Sequence, residues 1–149
     1  MRMKLSHRSG KRSTRASGLV KDWVQGTRVR LNETVRGIAD EIAERVIEGT
    51  PVDTGHLVHN WQVGINVRPR AQLAGVDPGK SEVKARVKAQ NQALSIEDKE
   101  WILANNVPYA VNAEYIGWKF TPPYMMVQKV VPQFAEIVRL VKGRLRRRR

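Results

Sequence analysis

A chain of 149 residues has room for one domain with a modest core, and the absence of cysteine excludes both disulfide staples and thiolate metal sites. No apolar run approaches the roughly 20 residues that cross a bilayer, and residues 1–21 lack the apolar block of a secretory signal. Composition therefore points to a soluble protein of a reducing, cytoplasmic compartment, without a membrane partner.

The net charge of +13 is concentrated at the two ends. Arg2, Lys4, Arg8, Lys11, Arg12, Arg15 and Lys21 stand in the first stretch with no acid among them. Arg139, Lys142, Arg144, Arg146, Arg147, Arg148 and Arg149 stand in the last, again with no acid. The body between them is nearly neutral. Cationic tails attract polyanions through counterion release, without reading sequence. Apart from Lys21, Arg139 and Lys142, these residues are candidate contacts to DNA or to an acidic face of a neighbouring protein. No helix-turn-helix, zinc-finger or aromatic RNA-binding pattern accompanies them.

In chain order, residues 1–18 are polar, basic and rich in Ser and Gly, which predicts an extended or disordered arm. From Leu19 to Glu48, Leu31, Val35, Ile38, Ile42 and Val46 recur at helical spacing, predicting a long amphipathic helix that Gly26 and Gly37 weaken and Gly49 with Pro51 ends. Asp53 then stands as an N-cap for a short helix through His59. Trp61, Val63, Ile65 and Val67 alternate with polar residues and Gly64, the pattern of a strand with one buried face. Pro69, Gly75, Pro78 and Gly79 mark a loop. Ser81 to Leu94 reads as a second helix capped by Ser81, with Val83, Val87, Gln90 and Leu94 along one side. Glu100 to Asn105 reads as a strand pairing with the first. Pro108 opens a short helix through Tyr115, with Asn106 in the capping region. Gly117 and Pro122-Pro123 break the chain, and Tyr124 to Val141 forms a C-terminal helix that kinks or starts at Pro132. Past residue 142 the arginine run forms a frayed tail.

These elements make an α+β protein in which a long N-terminal helix and a C-terminal helix pack on a small, mostly antiparallel sheet. Residues 19–142 form its single domain, flanked by flexible basic termini at 1–18 and 143–149.

Two patches carry further information. Thr50-Pro51-Val52-Asp53-Thr54-Gly55, Leu57 and Asn60-Trp61 form the first. Asn105-Asn106, Pro108-Tyr109-Ala110 and Glu114-Tyr115-Ile116-Gly117 form the second. In this order, with a variable helix between them and a Pro-containing C-terminal segment after them, they resemble the tail-completion or head-to-tail joining proteins of tailed bacteriophages over about residues 30–140. The resemblance implies a structural virion protein without a cofactor, assembling as a sixfold ring in the neck. Its partners would be further copies of itself, the connector or head-completion proteins, and the tail tube or terminator proteins. It also implies that Asp53, Thr54, Gly55 and Leu57 build a turn, that Trp61 anchors the sheet, and that Asn106, Tyr109, Ala110, Glu114 and Gly117 build the facing loop and helix. The chain departs from the pattern at His56, where Arg is expected, and at Ile116, which intervenes before the glycine.

The same residues bear on two other chemistries. Val52-Asp53-Thr54-Gly55 matches the active-site turn of dimeric aspartic proteases, which share a proton between two such Asp residues. The flap hairpin and the mostly β pattern of those enzymes are missing. His56 and His59 lie one helical turn apart but lack a third ligand, so packing is the simpler reading. The four tryptophans, Trp23, Trp61, Trp101 and Trp118, read as core or interface anchors; Trp118 and Phe120 are the foremost candidates for a subunit interface. The reading from another class is a nonspecific nucleic-acid-binding protein with arginine-rich arms.

Overall fold

The computed structural model describes residues 10–149, with side chains from Arg15 onward. Two compact units divide between Leu31 and Asn32, inside the span 19–142 that composition predicts as one domain. Helix α1, Gly10–Glu48, runs through the boundary. It starts well before Leu19, so residues 10–18 are helical rather than extended. Ala, Arg and Lys are good helix formers, and lengthening an existing helix costs far less than nucleating one. Arg2, Lys4 and Arg8 lie outside the described residues, as do the side chains of Lys11 and Arg12. In the first unit Leu19, Val20, Trp23 and Val24 are exposed, and the Thr27 hydroxyl donates to the Trp23 carbonyl at 2.9 Å.

In the second unit α1 is buried along Ala39, Ala43, Val46 and Ile47, with Ile38 and Ile42 at the margin of the core; Leu31, in the first unit, is exposed. The apolar stripe of the sequence is thus rotated from the face that is used. One reason is close packing: a Cβ on Gly37 would stand 2.8 Å from Val141 Cγ1, so Gly37 marks a close approach of the C-terminal helix. Beyond Glu48 the Gly49 N–H donates to the Arg45 carbonyl at 3.0 Å, and Pro51 stops the helix.

Helix α2, His56–His59, leads into β1, Trp61–Ile65, and β2, Trp101–Asn105, pairs antiparallel with it in the register Trp61 to Asn105 and Ile65 to Trp101. The predicted pairing is present. The predicted alternation of burial is not, because Trp61, Gln62, Val63 and Gly64 are all buried. Trp61 and Val63 face the core, whereas the loop after β1 covers the other side, where Gln62 Nε2 donates to the Ala71 carbonyl at 2.7 Å.

Helix α3, Ser81–Asn91, packs Val83 and Val87 into the core. Ser81 does not cap it. The buried Asp77 carboxylate accepts the Val83 N–H at 2.8 Å, and Lys80 occupies the N-cap position in a left-handed conformation, φ 63°. After β2 come a π-helical turn, Asn112–Ile116, and a 3-10 turn, Val131–Gln133, before α4, Phe134–Arg147. Residues Tyr124 to Val130 are not regular helix, so of the two outcomes at Pro132 the helix starts there: proline is tolerated in a first turn, where its missing N–H is no loss. Ile137 and Val141 are buried on α4. The helix also continues through the arginine run instead of fraying after residue 142, since cations are favoured at a helix C-terminus and Arg144 pairs with Glu41 at 2.7 Å.

Candidate functional site

Gly55, rather than Asp53, begins α2. It adopts φ 89°, and a Cβ there would lie 2.6 Å from the Pro78 nitrogen, so any other residue is both strained and obstructed. The left-handed turn leaves Asp53 exposed and lets the Thr54 hydroxyl accept the His56 N–H at 3.2 Å. The Gly55 carbonyl accepts from His59 at 3.0 Å and from Asp77 at 3.1 Å, joining the turn to the start of α3. His56 is held in the fold: Nδ1 is 2.8 Å from the Gly75 carbonyl and Nε2 3.2 Å from Gln72 Nε2. The buried His59 packs beside Gly75.

Trp61 ties the sheet to α1. Its indole N–H donates to the Thr50 hydroxyl at 2.9 Å, and that hydroxyl donates to the Val46 carbonyl at 2.7 Å, tying β1 to the end of α1. Leu57 is buried, and its carbonyl accepts from Asn105 Nδ2 at 2.7 Å. This bond, together with the Trp61 to Asn105 register, brings the two patches into contact.

The patches also clamp one loop. Asn60 exchanges two hydrogen bonds with Leu73, donating from Nδ2 at 3.1 Å and accepting at Oδ1 at 2.7 Å. Asn106 donates to the carbonyls of Pro69 and Ala71, each at 3.0 Å. Asn106 therefore holds the loop rather than capping a helix; the side chain that accepts the Val107 N–H is that of Asn105, at 3.2 Å. A loop without ladder partners needs side chains to satisfy its backbone, and these amides do so.

The second patch is a π-helical turn where a short α-helix through Tyr115 was predicted. The Gly117 N–H reaches the Asn112 carbonyl at 2.7 Å, so the turn absorbs one residue more than an α-turn holds, which accommodates Ile116. Ala113 and Glu114 are buried inside it, and Ala110 packs against the core. The Glu114 carboxylate accepts the N–H groups of Val127, at 3.1 Å from each oxygen, and of Gln128, at 2.9 Å. It thereby caps the segment that leads to α4. Nothing in the spacing of Glu114 identifies that partner, and the sequence gives no sign of the roles of Asn91 and Asp77, since a lone buried amide or carboxylate carries no periodic signal.

Outside the same turn the surface is apolar: Tyr109, Val111, Tyr115, Ile116, Trp118 and Phe120 are all exposed. Around α1 and α4 lies an ionic cluster. Glu41 bridges Arg45 at 3.0 Å and Arg144 at 2.7 Å, while Arg45 also reaches Glu136 at 3.2 Å and Gln133. Burial by itself would raise the Glu41 pKa, but the hydrogen bonds from Arg144 and Arg45 outweigh it and hold the carboxyl below its ordinary value. Among the described residues no three His, Asp or Glu side chains are grouped to hold a metal ion.

Residues 19–115 match the model of the family described as "Bacteriophage HK97-gp10, putative tail-component". The chain belongs to this family. The matched span contains the whole first patch and the second up to Tyr115, and the family description gives the protein a structural role in the phage tail. The virion is the location that follows, and among the described residues no helix is long and apolar enough to cross a membrane. Neither the curated proteins nor the solved structures yielded a match.

Proposed function

We propose that this tail component is a tail-completion, or head-to-tail joining, subunit that assembles as a sixfold ring in the neck and catalyses no reaction. One face of the ring docks on the connector or head-completion proteins, and the other receives the tail tube or terminator proteins. The observation that carries the reading is the contrast within the second patch: its inward groups are committed to the fold, and its outward groups are a cluster of exposed aromatic and aliphatic side chains. Such a cluster suits protein contact rather than water. Identical subunits close a ring when one heterologous contact repeats through the correct rotation. Negative-stain images and native mass spectra of the purified protein should show a closed ring. A protein that stays monomeric at every concentration and occupies no ring in purified particles would contradict the proposal.

A second reading, nonspecific nucleic-acid binding, draws on α4. Arg139, Lys142 and Arg146 fall on one helical face and have no acidic partner among the described residues. Salt titration separates the readings: a binding module holds DNA as an isolated protein with affinity falling steeply in salt, whereas a neck subunit binds it weakly.

A further inference from the structure

Resting on the ring reading, we infer that successive copies join by seating Phe120 of one in an apolar cleft of the next. The cleft has a volume of about 180 Å³ and is lined by Ile42, Val46, Val127, Val130, Val131 and Phe134. Ile42 and Val46 come from one side of α1, the three valines from the segment that Glu114 caps, and Phe134 from the first turn of α4. Val131 and Phe134 are exposed at its mouth. A cavity of about 150 Å³ lined by such side chains takes up benzene, so this cleft has the size and chemistry for a phenyl ring.

The group to fill it lies elsewhere on the same chain. The Trp118 N–H donates to the Thr121 carbonyl at 2.7 Å and the Thr121 N–H returns to the Trp118 carbonyl at 3.0 Å, closing a tight turn with Lys119 and Phe120 at its tip. Phe120 is 89% exposed, the most exposed of the large apolar side chains among the described residues. The bonded turn and the prolines that follow hold the ring in place before docking, so little ordering entropy is lost when it docks. Charge matches as well. Lys119 Nζ lies 5.2 Å from the Phe120 ring centroid, and Glu136, which Arg45 reaches at 3.2 Å, stands on the same first turn of α4 as Phe134 with its side chain still mostly exposed. A Lys119 to Glu136 pair across the contact sets orientation more than affinity. Because tip and cleft are different surfaces, each copy gives one and receives one, and the contact propagates head to tail.

The absence of cysteine makes the test clean. A Lys119→Cys, Glu136→Cys double variant, which keeps the Phe120 ring, should on mild oxidation give a reductant-sensitive ladder on a denaturing gel ending at the closed ring, while either single variant stays monomeric. Phe120→Asp should keep the wild-type circular dichroism and weaken assembly at least tenfold. A double variant that does not cross-link although the wild type forms rings removes this contact and leaves the ring reading standing. A wild type that is monomeric throughout removes both. A ladder that stops at dimers, cross-linking by a single variant, or normal assembly of Phe120→Asp overturns the head-to-tail contact.

Discussion

The indole N–H of Trp101 donates to Asn91 Oδ1 at 2.8 Å, and Asn91 Nδ2 donates to Asp40 Oδ1, also at 2.8 Å. Asn91 is fully buried, so one amide connects β2 to α1 through α3. Trp61, Thr50 and the Val46 carbonyl make the matching connection from β1. Both strands are thus fastened to the same helix through a tryptophan and one short polar side chain.

Asn91→Leu removes the middle of the first relay and leaves an indole N–H and a carboxylate without their partner. Burial already raises the Asp40 pKa, and the Asn91 hydrogen bond, then the charge of Lys88, oppose that rise. Losing the amide should raise it further and cost about 2–3 kcal/mol of stability, the range for stranding buried polar groups. Urea unfolding measures it; an unchanged midpoint would mean that the relay contributes nothing.

Two glycines in the same region should respond oppositely. Gly55→Ala meets both a positive φ and the Pro78 nitrogen, and should lose more than about 2 kcal/mol or fail to fold. At Gly79 a Cβ meets nothing within 4 Å, so Gly79→Ala should be neutral or gain up to about 1 kcal/mol by restricting the unfolded chain. Thermal melts of the pair supply the comparison, and equal melting temperatures would rule out the proposed role of Gly55.

What could be read in advance depended on how local its cause was. The strand-like alternation of residue types after Trp61, the stop at Gly49 and Pro51, and the break at Pro132, where a kink and a start were both open, follow from a few neighbouring residues, and the α+β plan with its antiparallel pair came from these. The face of α1 that is buried depends instead on how near α4 approaches Gly37, which no periodicity within α1 encodes. Capping failed for the same reason. Asp53 had the right chemistry and position, but the Gly55 backbone turned it outward, and the acids that do cap, Asp77 and Glu114, serve groups brought to them by the fold.

Glu114→Gln tests that capping role. The carboxylate serves two N–H groups with two acceptor oxygens, whereas an amide has one oxygen and turns donors toward the segment. A loss of about 1–3 kcal/mol is expected, with Glu114→Ala at the upper end. Hydrogen exchange at Val127 and Gln128 should accelerate more than exchange in β1 and β2. Uniform acceleration throughout would show that Glu114 stabilises the core generally rather than this segment.

Glu41 should make part of the stability dependent on pH. Its carboxyl titrates below the ordinary value of 4.5 in the folded protein, because the hydrogen bonds from Arg144 and Arg45 outweigh the opposing effect of burial. The folded state therefore binds this proton less readily than the unfolded chain. The resulting stabilisation is complete above the unfolded value and disappears as pH falls through the lower folded one. Arg144 is half exposed, so solvent limits the effect to about 1 kcal/mol. Wild type should exceed Glu41→Gln by that amount near neutrality, and the gap should narrow progressively below pH 4.5. Chemical denaturation of both proteins across the acid range measures it. A gap that stays constant down to the acid limit would mean that packing of the side chain, and not its charge, accounts for the difference.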